Sequence, residues 1–106
     1  MKKDIFYRAF RGNMHPVFVQ DRGYRYKLTR DGKTISFMIA RCGSRSWDVT
    51  HEKSGQLAIV IPQTTRAGCI EVLNDPDYIT AAFRIVEQEQ TKTLTAKLEE
   101  WRNRTE

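Results

Sequence analysis

The stretch from Tyr24 to Ile39 limits the possible folds of this chain more than any other. Tyr24, Tyr26 and Leu28 alternate with Arg25, Lys27 and Thr29, the period-two pattern of a half-buried strand, and Asp31-Gly32 then supplies two residues tolerant of positive φ. A two-residue loop there sets Leu28 opposite Ile35, Tyr26 opposite Phe37 and Tyr24 opposite Ile39 on one face. Lys27 then meets Ser36, and Arg25 meets Met38, on the other. Turn chemistry and hydrophobic pattern select the same register, as expected of a hairpin that specifies itself.

Carrying the same test forward predicts a meander. A three-residue loop of Cys42-Gly43-Ser44 keeps Trp47 on the face of large side chains, opposite Ile39, with Val49 opposite Phe37. A two-residue loop would send Trp47 to the basic face. Glu52-Lys53-Ser54-Gly55 reads as a turn, after which Val49 pairs with Leu57 and Trp47 with Ile59. Strands are thus expected at about 24–30, 34–41, 45–50 and 57–61. Ile5–Phe10 and Val17–Val19 are two further candidates, the second ended by Asp21-Arg22-Gly23.

Residues 62–74 read as a loop or a short edge strand. Asn74-Asp75-Pro76-Asp77 then announces a helix, with Asp75 as N-cap, Pro76 at the first helical position and Asp77 complementing the dipole. Ile79, Ala82, Phe83, Val86, Leu94, Leu98 and Trp101 follow at helical spacing, interrupted by the polar run from Glu87 to Thr93. A continuous helix from Asp77 to Asn103 would be a rod of about 40 Å, longer than a domain of this size. Either the helix kinks near residues 91–93 and folds back, or Leu94, Leu98 and Trp101 reach a second copy of the chain.

The expected fold class is therefore α+β, a twisted antiparallel meander sheet of four to six strands packed on one face by a long C-terminal helix. A single domain over residues 1–106 is expected, mainly strands over 1–61 and helix over 75–104. At 106 residues, with 40% apolar and 29% charged side chains, the chain suits one hydrophobic core. No apolar run approaches the roughly 20 residues a membrane-spanning helix needs, and the first residues lack a signal-peptide pattern. A cytoplasmic protein without a membrane partner is the expectation.

The net charge of +5 is unevenly spread. Residues 1–45 carry eleven Lys or Arg against three Asp, whereas residues 46–106 carry seven against ten acidic groups. Arg22, Arg25, Lys27, Arg30, Lys33, Arg41 and Arg45, on the strands and loops, could follow a phosphate backbone. Tyr24, Tyr26, Phe37 and Trp47 point inward in the expected register, so contact with phosphates is favoured over base stacking. Met38, Ala40, Ala58 and Val60 on the outer face, with Leu94, Leu98 and Trp101 on the distal helix, are candidates for a protein interface.

Catalytic signatures are missing: there is no phosphate loop, no Gly-x-Gly-x-x-Gly, no His-Glu-x-x-His and no Gly-x-Ser-x-Gly. His15 and His51 have no Cys or His partner at zinc spacing, and no metal or cofactor is expected. Cys42 and Cys69 read as free thiols, with a disulfide as the alternative if the fold brings them together. Cys42 lies between Arg41 and Arg45, which would favour its thiolate, and Asp48 and His51 could meet only through a bulge. The sequence thus points to a non-catalytic protein that binds nucleic acid. A small regulatory or inhibitory protein with a protein partner, perhaps acidic, is the alternative, and a small enzyme using Cys42 or His51 the third reading.

Overall fold

The structure, a computed structural model, describes residues 2–11, 16–59 and 61–105. Four antiparallel strands, β1 (Asp4–Arg11), β2 (Pro16–Arg30), β3 (Lys33–Gly43) and β4 (Ser46–His51), follow one another in the sheet in chain order. Asp31 and Gly32 turn the β2–β3 hairpin with φ of 51° and 77°. Leu28 faces Ile35, Tyr26 faces Phe37 and Tyr24 faces Ile39, the register read from the sequence.

Asp21-Arg22-Gly23 does not end a strand. β2 runs through it, pairing with β1 over its first half, up to Gly23 opposite Asp4, and with β3 over its second, from Tyr24 onward. Gly23 makes this possible by lacking a side chain: a Cβ there would lie 2.7 Å from the Ile39 carbonyl oxygen and 3.0 Å from Ala40 Cβ. The backbone of β2 therefore presses onto β3, and the sheet curls so that β1 covers its concave face. Phe6, Met38 and Ala40 form a small core there, separate from the main one.

That second core corrects the reading of the outer face and of a single core. Met38, Ala40 and Thr50 are fully buried and Asp48 nearly so, so Met38 and Ala40 are not interface residues. Ala58 packs against the main core instead, and Val60 lies outside the described residues. Asp48 is not stranded by its burial, because Arg8 of β1 reaches it: Nη1 donates to Asp48 Oδ2 at 2.7 Å, while Nε donates to Asp21 Oδ2 at the same distance. Burial works against the Arg8 charge, but these two carboxylates outweigh it and raise its pKa.

β1 also closes onto the turn that follows β4. The Ala9 amide donates to the Gly55 carbonyl at 2.8 Å, and Gly55 has φ of 73°. A Cβ on Gly55 would stand 2.8 Å from Tyr7 O and 2.9 Å from Ala9 N, both backbone atoms. Gly55→Ala is expected to cost about 2 kcal/mol or more, from the left-handed backbone and the clash together. Gly32→Ala, with positive φ but nothing within 4 Å, should cost only about 1 kcal/mol. Urea unfolding of both variants checks this; equal losses would mean that the approach of β1 is not tight.

The β3–β4 connection also differs from expectation. Trp47 lies opposite Arg41 and Val49 opposite Ile39, with a register shift between Arg41 and Gly43. The bulge at Cys42 adds one residue to β3, so Ser44-Arg45 can make a short turn without moving Trp47 to the other face. Beyond β4, the described residues 57–59 and 61 do not form a regular strand. Leu57 bridges Thr50 and Gln63 bridges Trp47, so the partner chain advances twice as far as β4 between the two bridges. Pro62, without an N–H, falls inside this irregular stretch.

Helices cover the convex face. α1 (Arg66–Leu73) occupies part of the segment read as loop or edge strand. Thr65 Oγ1 caps it by accepting from the Gly68 amide at 2.9 Å, and Cys69 and Leu73, one turn apart, are both completely buried. α2 (Pro76–Val86) starts as expected, with Asp75 Oδ1 accepting from the Asp77 and Tyr78 amides. Together they bury Leu28, Ile35, Phe37, Ile39 and Val49 with Cys69, Leu73 and Ala82. Each large apolar side chain so buried contributes about 1.5–3 kcal/mol.

The helix breaks at Glu87-Gln88, ahead of the expected kink at 91–93, where the Glu87 and Gln88 amides bond to Arg84 O and Ile85 O. α3 (Glu89–Thr105) then folds back along the sheet. Leu94 and Leu98 are buried, Thr91 Oγ1 donates to Gln56 Oε1 at 2.9 Å, and the Trp101 ring meets Tyr7 edge-on at 5.1 Å and Phe18 at 5.7 Å. These residues are satisfied within the chain, which is the folded-back alternative. Leu94, Leu98 and Trp101 therefore offer no ready surface to a second copy. Among the described residues no helix is long and apolar enough to cross a membrane.

Candidate functional site

The basic residues singled out from the sequence separate into two groups. Arg25 is tied down: Nε and Nη2 donate to both oxygens of Glu52 at 2.8 and 2.6 Å, and Nη1 donates to Asp4 at 2.8 Å. Arg30 donates to Thr80 Oγ1 at 2.8 Å, with Asp31 3.9 Å away, and Lys33 lies 3.6 Å from Glu87. These three cations fasten parts of the fold to one another. Arg22, Lys27, Arg41 and Arg45 are exposed and make no ion pair among the described residues. Lys33 and Arg41 are also roughly 26 Å apart along β3 at 3.3 Å per residue, so the seven do not form one surface.

The Arg25–Glu52 pair carries a pH dependence. The Arg25 hydrogen bonds, aided by Ser36 Oγ, hold the Glu52 carboxyl below the usual range against the opposing effect of burial. Its contribution to stability is then present above the ordinary carboxylate pKa and lost as pH falls through the lower folded value. Glu52→Gln should be less stable than the parent at pH 7, and the gap in urea stability should narrow as pH falls below about 4. A gap independent of pH would show that the carboxylate charge does not matter.

A different group of cations meets at the rim near the β3–β4 turn. The Arg66 guanidinium lies 4.3 Å over the Tyr24 ring, and Lys3 Nζ lies 5.8 Å from the same ring. Tyr24 neighbours Trp47, with centroids 6.4 Å apart and planes inclined by 35°, and the Arg41 guanidinium lies 5.3 Å over Trp47. The bulge at Cys42 brings Arg41 opposite Trp47, and the bridge from Trp47 to Gln63 followed by the Thr65 cap brings Arg66 to Tyr24. Both rings are half-buried, and Trp47 packs against the main core. Lys3, Arg41 and Arg66, with Arg45 in the adjacent turn, lack an ion-paired carboxylate among the described residues.

Lys3, Tyr24, Trp47 and Arg66 were not among the sequence candidates for binding. The sequence pattern places Tyr24 and Trp47 wholly in the core, and Arg66 sits in a segment that reads as loop. The proximity of Arg41 and Arg45 to Trp47 in sequence was the one available signal.

Of the groups considered for chemistry, Cys42 lies close enough to Asp48 to feel its charge, but His51 is engaged elsewhere. Asp48 is engaged by Arg8, whereas His51 Nδ1 shares a 2.7 Å hydrogen bond with the buried Ser54 hydroxyl. Burial, aided by Lys53, lowers the His51 pKa and so favours the neutral ring. Burial and then Asp48 raise the Cys42 thiol pKa, opposite to the thiolate that flanking arginines would favour. Cys69 is buried in the core with its pKa pushed up to about 11, and the two cysteines are free thiols. His15 lies outside the described residues, and among those described no three His, Cys, Asp or Glu side chains are grouped to hold a metal ion.

Comparison with protein-family models, curated proteins and solved structures returned no match.

Proposed function

We propose that the chain binds nucleic acid through its backbone phosphates, at the rim formed by Lys3, Arg41, Arg45 and Arg66. The observation that carries this reading is that three cations without an ion-paired carboxylate among the described residues gather on the neighbouring Tyr24 and Trp47 rings, whereas Arg22 and Lys27, equally unpaired, rest on no ring there. Arg8, Arg25, Arg30 and Lys33 each have a carboxylate within 4 Å, whereas those at the rim rest on aromatic rings or in the turn without one. Cations left uncompensated on one surface attract a polyanion and release its counterions on binding. Titration of a fluorescent oligonucleotide at several salt concentrations tests it. Three or four phosphate contacts predict a slope of about −2 to −3 for log K against log salt. Binding that ignores salt, or none to DNA or RNA, would overturn the proposal.

A protein partner is the second reading, favoured by Phe10, Val17 and Val19, which are about half exposed on one face of the β1–β2 hairpin. Purification after nuclease treatment distinguishes the two: a protein retained without nucleic acid favours the second.

A further inference from the structure

We infer that the rim takes single-stranded nucleic acid, with neighbouring bases stacked on Trp47 and Tyr24 in the positions now covered by Arg41 and Arg66. This rests on the nucleic-acid reading above and adds how the bases are held. Arginine recognises an aromatic face and a phosphate with the same planar group. The guanidinium groups 4.3 Å over Tyr24 and 5.3 Å over Trp47 therefore occupy sites suited to a flat, polarisable base. A strand arriving at the rim gives each arginine a phosphate to turn to, and the ring it leaves can accept a base.

The geometry of the rings favours a single strand over a duplex. Their centroids lie 6.4 Å apart with planes inclined by 35°, nearly twice the roughly 3.4 Å rise between stacked bases. Two successive bases lying on these rings must be unstacked from each other, which a duplex does not allow and a single strand does at small cost. Trp47 and Tyr24 are also held in place, Trp47 between Arg41 on the opposing strand and the core behind it, and Tyr24 opposite Ile39 in the hairpin register. Stacking on them thus requires little ordering of the protein. Both RNA and DNA offer the bases and phosphates used here.

The test uses the full chain with Trp101→Phe, which leaves Trp47 as the indole reporter while keeping a ring against Tyr7. A mixed-sequence single strand of 12 nucleotides, as RNA and as DNA, should quench Trp47 fluorescence on binding. A duplex of equal length should bind at least fivefold more weakly and leave the fluorescence unchanged. Trp47→Leu, which keeps an apolar side chain over the core, should weaken single-strand binding roughly tenfold while preserving its salt slope and the duplex affinity. Trp47→Tyr should restore part of the loss, and the quenching experiment stands by itself if the Leu variant does not fold. Equal affinity for duplex and single strand without quenching would overturn the stacking inference while sparing the phosphate reading. Binding to neither would overturn both.

Discussion

Asp48→Ala is expected to destabilise the protein by about 3–5 kcal/mol, the usual consequence of removing one partner from a buried ion pair. The Asp48 side chain is 10% exposed and that of Arg8 13%, and they meet at 2.7 Å under the curled sheet. Without Asp48 the Arg8 guanidinium keeps, among the described residues, one carboxylate, Asp21, which is 39% exposed and offsets less of its charge. Asp21→Ala should accordingly cost no more than about 1 kcal/mol. The pair is not an ideal one, since among the described residues Arg8 Nη2 and Asp48 Oδ1 are buried without a hydrogen-bond partner. Replacing both residues, Arg8→Met with Asp48→Leu, should therefore recover most of the stability lost in the single variant. Urea unfolding at pH 7 decides the matter. Asp48→Ala and Asp21→Ala with equal losses would contradict this account of the concave face.

Neutralising Lys3, Arg41 and Arg66 together should reduce oligonucleotide affinity about a hundredfold at 0.1 M salt, because each lost phosphate contact lowers the salt slope by about 0.7. Folding should be little affected, as each cation–ring contact at this partly exposed rim contributes only about 0.5–2 kcal/mol. Lys33→Ser is the informative control. Lys33 was as good a candidate as Arg41 by sequence, yet it sits by the opposite turn, 3.6 Å from Glu87. Its loss should change affinity by less than twofold. Anisotropy titrations of the triple variant and of Lys33→Ser separate an effect of the rim from one of net charge; equal losses per charge removed would favour net charge.

What could be read from the sequence was what depends on neighbours in the chain. The β2–β3 register followed from Asp31-Gly32 and the alternation beside it, and the start of α2 from Asp75-Pro76. Gly23 was misleading because Asp21-Arg22-Gly23 has turn composition. Its real role is to let β2 approach Ile39 and Ala40, and that can be seen only once β3 is in place. The burial of Met38 and Ala40 had the same origin, since an alternating strand does not reveal that its second face will be covered by the same sheet. α1 was hidden by Gly68 and by the loop-like residues ahead of Arg66.

The candidate site was legible as residue types and not as geometry. The excess of Lys and Arg was evident, but which were already occupied was not. Arg25 finds Glu52 and Asp4 across 27 and 21 positions of sequence, and no local pattern announces either. Conversely, Arg66 reaches Tyr24 through a helix that had not been anticipated. Trp47 was placed on the correct face for an incomplete reason: a bulge and a short turn together preserve the parity that a three-residue loop was expected to supply.

In the proposed function the basic rim, and not the sheet as a whole, meets nucleic acid. Amide chemical-shift mapping of the isotope-labelled protein with a single-stranded oligonucleotide at low salt tests it most directly. Changes are expected to concentrate at Lys3, Tyr24, residues 41–47 and Arg66, with Lys27, Lys33 and the concave-face residues Arg8 and Asp48 unmoved. Changes centred on Lys27 or Lys33, or spread evenly over the basic surface, would contradict it.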